Sequence, residues 1–131
     1  YIDKADGYTL TGPLDLVFDN VVINNGNGYK NGVFRAPSNG IYSFQFSGQQ
    51  STTTDGNYFG IEIMKNGARL FDIWDTASNS EHGLYNNVNY QWELELKEGD
   101  EINLRLYNGK SLFTDSYRRL YFSGQLISLT Q

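Results

Sequence analysis

A chain of 131 residues has the length of one domain, at roughly 150 residues per domain, and buries about two-thirds of its unfolded surface in one core. Hydrophobic residues at 39%, aromatic at 15% and charged at 19% exclude disorder, and a net charge of −5 with 10 Lys and Arg gives nucleic acid or an anionic membrane surface no basic patch. The absence of cysteine removes disulfides, thiolate zinc sites, iron–sulfur ligation and cysteine nucleophiles together.

In chain order, residues 1–12 hold few apolar anchors and are expected to form an N-terminal arm or linker, with the domain over 13–131. A start at Tyr1 rather than Met suggests a processed, secreted product. Gly12-Pro13-Leu14 is a lone triplet, so no collagen segment is present. A strand is expected from Leu14 to Asn24. Asn-Gly steps at Asn25, Asn27, Asn31, Asn39, Asn66 and Asn108 supply the positive φ that tight turns and bulges require. Apolar residues alternate at Tyr42, Phe44 and Phe46, and again at Phe59, Ile61 and Ile63, as in strands buried on one face. The clearest alternation is Val88, Tyr90, Trp92, Leu94 and Leu96. It resumes at Ile102, Leu104 and Leu106 after Glu98-Gly99-Asp100, which predicts the two arms of a hairpin. Pro13 and Pro37 lie outside these runs, so no strand loses a ladder donor. No apolar run approaches the ~18 residues of a membrane helix. The pattern is that of an all-β sandwich of many short antiparallel strands.

A specific spacing begins at Phe18: five residues to Asn24, four to Tyr29, then Phe34 and, after five more, Gly40-Ile41-Tyr42-Ser43-Phe44-Gln45-Phe46. Further blocks follow in order: Val33-Phe34-Arg35-Ala36-Pro37, Met64-Lys65-Asn66-Gly67, Leu96-Lys97-Glu98-Gly99-Asp100 and Phe122-Ser123-Gly124. Together they resemble the globular C1q domain of the C1q and tumour necrosis factor superfamily over about Leu14 to Leu129. The gap from Tyr29 to Phe34 is about two residues shorter than the family pattern, as a shortened loop would make it. The resemblance implies a jelly-roll β-sandwich of about ten antiparallel strands, assembled as a homotrimer with aromatic and aliphatic side chains around its axis. It also implies calcium as a cofactor, held in some relatives at the position of Asp75; a solvated turn carboxylate is the plainer reading of that residue.

Catalysis has little footing. His82 is the one histidine, in a polar stretch, and no Gly-x-Ser-x-Gly elbow or phosphate-binding glycine loop occurs. Asp72 with Asp75, or Glu93 with Glu95, could pair as glycosidase carboxylates, but spacing two on a strand simply places Glu93 and Glu95 on the solvent face. The richest binding stretch is Asp115-Ser116-Tyr117-Arg118-Arg119 with Tyr121. Arg pairs bidentately with a carboxylate and Tyr stacks on a sugar face, so an acidic glycan such as a sialoside suits Asp115, Tyr117, Arg118, Arg119 and Tyr121. The plainer alternative is that the two arginines neutralise neighbouring acids. The expected function is a secreted, extracellular, non-enzymatic recognition module, a trimeric head binding glycans or other cell-surface patterns in innate immunity. The alternative is a trimerisation, matrix-assembly or receptor-binding head of a larger collagen-like or signalling protein.

Overall fold

The computed structural model describes residues 8–11, 14–18, 21, 28–51, 58–76, 85–106, 111–114 and 120–131. They form eleven strands: β1 Tyr8–Thr11, β2 Leu14–Asp15, β3 Tyr29–Lys30, β4 Val33–Arg35, β5 Gly40–Ser51, β6 Tyr58–Lys65, β7 Ala68–Thr76, β8 Tyr85–Leu96, β9 Glu101–Leu106, β10 Ser111–Thr114 and β11 Tyr121–Leu129. In the first sheet β5 is central, with β8 along one edge and β11 and β10 in succession along the other, and β1 beyond β10. The second sheet runs β3-β4-β9-β6-β7, with β2 also on β9. All pairings are antiparallel. The all-β sandwich is therefore as expected.

Alternation explains the core. Tyr42, Phe44 and Phe46 on β5, Ile61 and Ile63 on β6, Trp92 and Leu96 on β8, and Ile102, Leu104 and Leu106 on β9 are all buried between the sheets. Each such side chain contributes roughly 1.5 to 3 kcal/mol through burial. Phe44 is the hub of the aromatics, in ring contact with Phe34, Tyr42, Trp92 and Phe122. A polar handle on this strand's core face, the Tyr42 hydroxyl, donates to the Ser38 carbonyl at 2.8 Å. Trp92 Nε1 is the buried side-chain polar atom left without a partner among the described residues.

Three expectations are corrected. First, β8 and β9 are not a hairpin: β8 pairs with β5 and β9 with β2, β4 and β6, in the other sheet. The turn around Gly99, at φ 90°, carries the chain between sheets, and both strands still point their apolar residues into the shared core. Second, among the described residues of the strand expected over Leu14 to Asn24, the strand covers Leu14–Asp15, and residues 19, 20 and 22–24 lie outside the described residues. Alternation persists beyond it, with Leu16 and Phe18 buried and Val17 exposed, and Leu16 N still donates to the Leu104 carbonyl of β9 at 2.9 Å. Third, Tyr8–Thr11 of the expected arm pairs with Ser111–Thr114 as β1. Its Tyr-Thr-Leu-Thr sequence suits an edge strand and gives β10 a second neighbour.

Asn31-Gly32 and Asn66-Gly67 have φ of 51° and 86°, and 52° and 84°. Positive φ at both central residues makes two-residue hairpin turns whose twist matches their strands. The first joins β3 to β4, so the shortened loop after Tyr29 is this turn.

The β6–β7 turn is tied to the β8–β9 turn at one end of the sandwich. Asn66 Nδ2 donates to Asp100 Oδ1 at 3.1 Å, Lys97 N donates to Asp100 Oδ2 at 2.9 Å, and Glu101 N donates to Asn66 Oδ1 at 2.8 Å. The backbone bond from Lys97, then the one from Asn66, holds the Asp100 carboxyl below its ordinary value of 3.8. A depressed folded pKa contributes stability that is present above the unfolded value and lost as pH falls through the folded one. Asp100→Ala is thus expected to lower stability by about 1 kcal/mol at neutral pH. The deficit should shrink as pH falls through the folded value, which lies below 3.8. Urea midpoints across pH check this; a deficit of unchanged size in acid would contradict it.

Candidate functional site

Two strands far from β5 in sequence share one of its edges. Leu112 and Phe113 of β10 face Gln50 and Gln49, whereas β11 begins with Tyr121 facing Ser47. A step of eight residues along the chain, from 113 to 121, therefore spans two residues of β5, from 49 to 47. Asp115, Tyr117, Arg118 and Arg119 lie outside the described residues, but the points where their segment joins the sheet are set by these pairings.

Tyr121 is described. It is half-buried on the outer face of the first sheet, and Gln45 Nε2 donates to its hydroxyl at 3.2 Å. Leu120 beside it is fully buried, which anchors the start of β11. Along the same face, cross-strand rows bring Gln91, Gln45 and Ser123 together, and beside them Ser43 and Gln125. Gln91 Nε2 donates to Ser43 Oγ at 3.3 Å. Ser43, Gln45, Gln91, Ser123, Gly124 and Gln125 line a shallow depression of about 170 Å³ with the Phe44 backbone strand as floor. Its side chains are hydroxyls and amides, which donate and accept hydrogen bonds without carrying charge.

A family model for the C1q domain matches residues 7–127. The chain belongs to the C1q domain family. Among solved structures, this C1q domain is similar to the globular domain of the zebrafish complement 1qA protein, at TM-score 0.64 and 14% identity over 95% of this chain and 97% of that one. It is also similar to the Eiger TNF from S. frugiperda, at TM-score 0.62 and 12% identity over 77% and 68% of the two chains, and to rabbit GITRL, at TM-score 0.55 and 18% identity over 80% and 78%. At such identities the likeness concerns the fold, a C1q and tumour necrosis factor type sandwich. Among curated proteins no sequence matches.

Within this C1q domain, Asp75 sits on β7 opposite Phe59, in the second sheet, and its side chain lies outside what the structure describes. Asp75 and Tyr121 are nonetheless at the same end of the sandwich. The six residues from Ser51 to Tyr58 and the eight from Thr76 to Tyr85 link the Ser51–Tyr85 end of the first sheet to the Tyr58–Thr76 end of the second. The 115–119 segment joins the sheet near that end, at Gln49 and Ser47. Calcium takes six to eight oxygen ligands, and no group of three or more His, Asp or Glu residues placed to hold a metal occurs among the described residues. They do not complete a calcium site around Asp75. His82 is also outside the described residues, and Glu93 and Glu95 are exposed as expected.

The neutral face was missed from sequence. Its signal was present as Ser and Gln alternating with Tyr42, Phe44 and Phe46, but alternation marks such residues only as outward, not as neighbours across three strands.

Proposed function

We propose that this C1q domain is a secreted, non-enzymatic recognition head that acts as a homotrimer and binds glycans or other surface patterns through the 115–119 segment and Tyr121. The observation that carries the reading is the join of that segment to the sheet. The strand positions that flank this stretch in the chain, Phe113 and Tyr121, face Gln49 and Ser47 of β5, and Gln45 Nε2 donates to the Tyr121 hydroxyl. Two guanidinium groups and two phenols at such a place suit a carboxylate-bearing sugar, which Arg pairs bidentately and Tyr covers with its ring. Trimerisation is supported by apolar side chains left outside the protomer, namely Leu126, Ile127 and Leu129 on β11 and Tyr90 on β8. Three copies of a shallow site gain strength through avidity.

The test is a glycan array probed with the native oligomer, with calcium and then with chelator. Arg118→Ala and Arg119→Ala are each expected to weaken binding about tenfold or more, as for a hot-spot arginine, with the mass by light scattering unchanged. Full binding by both variants would remove the site assignment. A blank array from an intact trimer would leave an assembly or receptor-binding head as the reading, and binding abolished by chelator would give calcium a part in it.

A further inference from the structure

Three Asn-Gly steps lie wholly within the described residues, and their carboxamides are held very differently. Asn39 Oδ1 accepts Glu98 N at 2.7 Å. Asn66 is clamped at both ends, Oδ1 by Glu101 N and Nδ2 by Asp100 Oδ1. Asn31 is exposed, and its carboxamide has no hydrogen bond to any described residue.

The strands that carry these turns differ as well. Asn66-Gly67 connects β6 of 8 residues with β7 of 9. Asn31-Gly32 connects β3 of 2 residues, at the edge of the second sheet, with β4 of 3. A hairpin held by so short a ladder opens locally far more often than one embedded in long strands.

We propose that Asn31-Gly32 is a site of spontaneous covalent modification, converting to aspartate and isoaspartate while Asn39 and Asn66 are protected by the fold. When solvent base removes the Gly32 amide proton, that nitrogen attacks Asn31 Cγ. The Cγ–Nδ2 bond breaks, the nitrogen takes a proton from water and leaves as ammonia, which regenerates the base, and a five-membered succinimide remains. Water then opens the ring at either carbonyl, returning an ordinary aspartyl bond or one routed through the side chain. Nothing is oxidised or reduced. Glycine as the second residue favours the attack because no side chain crowds its nitrogen. The reaction needs a carboxamide free to swing onto the backbone, which Asn31 has, and an opening of the turn that exposes its nitrogen, because Gly32 is buried against Leu16 and Val17; the short β3–β4 ladder is what makes that opening frequent.

The isoaspartyl product adds an atom to the main chain inside a two-residue turn, which that turn geometry does not accommodate. The hairpin it would distort carries Phe34, whose ring meets Tyr42 and Phe44 at 5.5 Å each.

The experiment is to age the native protein at mildly alkaline pH, digest it in acid, and quantify isoaspartate at each step by mass spectrometry. Conversion at Asn31 is expected to be about tenfold or more faster than at Asn39 and Asn66. In denaturant the three rates should converge, since all three share the Asn-Gly sequence. Asp100→Ala should accelerate Asn66 and leave Asn31 unchanged, which separates release of the clamp from general loosening. Native rates at Asn39 or Asn66 equal to that at Asn31 would overturn the proposal. So would a difference that persists in denaturant, because sequence rather than structure would then set it.

Discussion

Phe44→Ala is expected to lower the unfolding free energy by about 4 kcal/mol, in the middle of the range for truncation of a buried aromatic. Phe44 is 1% exposed, and it joins rings from both sheets: Tyr42, Trp92 and Phe122 from its own, and Phe34, on β4, from the other. Stacking on Phe122 is nearly parallel, at 5.7 Å and 3°. Removing the ring loses its own burial and leaves a void that neighbours fixed in two sheets can fill only in part. Because domains of this size are stable by only about 5 to 15 kcal/mol, the variant should sit near its unfolding threshold. Urea denaturation at one fixed protomer concentration checks this, since association would otherwise shift the midpoint. A loss below about 1.5 kcal/mol would mean that the core does not depend on this ring.

Adding matter at the same place should be nearly as costly. A Cβ on Gly124 would lie 2.8 Å from Phe44 Cδ1 and 2.9 Å from Cε1, and the ring has little room to yield between Phe122 and Trp92. Gly124→Ala is therefore expected to cost about 2 to 3 kcal/mol by overpacking. The mechanism makes a sharper claim about the double variant. With Phe44 already alanine the clash is gone, so adding Gly124→Ala should then cost less than about 0.5 kcal/mol. Additive losses in the double-mutant cycle would trace the glycine requirement to something other than the ring.

Both predictions concern positions that were legible from sequence. Tyr42, Phe44 and Phe46 share a strand face by period-two alternation, and Gly124 sits in a family block beside Phe122. The same alternation misled at β8 and β9. Val88 to Leu96 and Ile102 to Leu106 keep phase across Glu98-Gly99-Asp100 whether they pair with each other or part into two sheets around one core. What separates the alternatives is long-range. Gly99 N donates to the Ala36 carbonyl at 2.8 Å and Ala36 N donates to the Asp100 carbonyl at 2.9 Å, which ties this turn to the approach to β5 rather than closing a hairpin. Likewise Tyr8–Thr11 has too few apolar residues to announce a strand, and it becomes one because β10 presents an edge.

By itself, then, the sequence determined which side chains enter the core, where Asn31 and Asn66 turn the chain, and the membership in the C1q domain family. These follow from local periods, from φ preferences and from spacing along one chain. Only the tertiary structure decided that Gln45, Gln91 and Ser123, drawn from three strands, form one neutral face. It alone brought Phe113 and Tyr121 to positions two residues apart on β5, and clamped Asn66 while leaving Asn31 loose. Each of these depends on which strand lies beside which, and strand neighbours are chosen by how the whole set of apolar faces closes around one core.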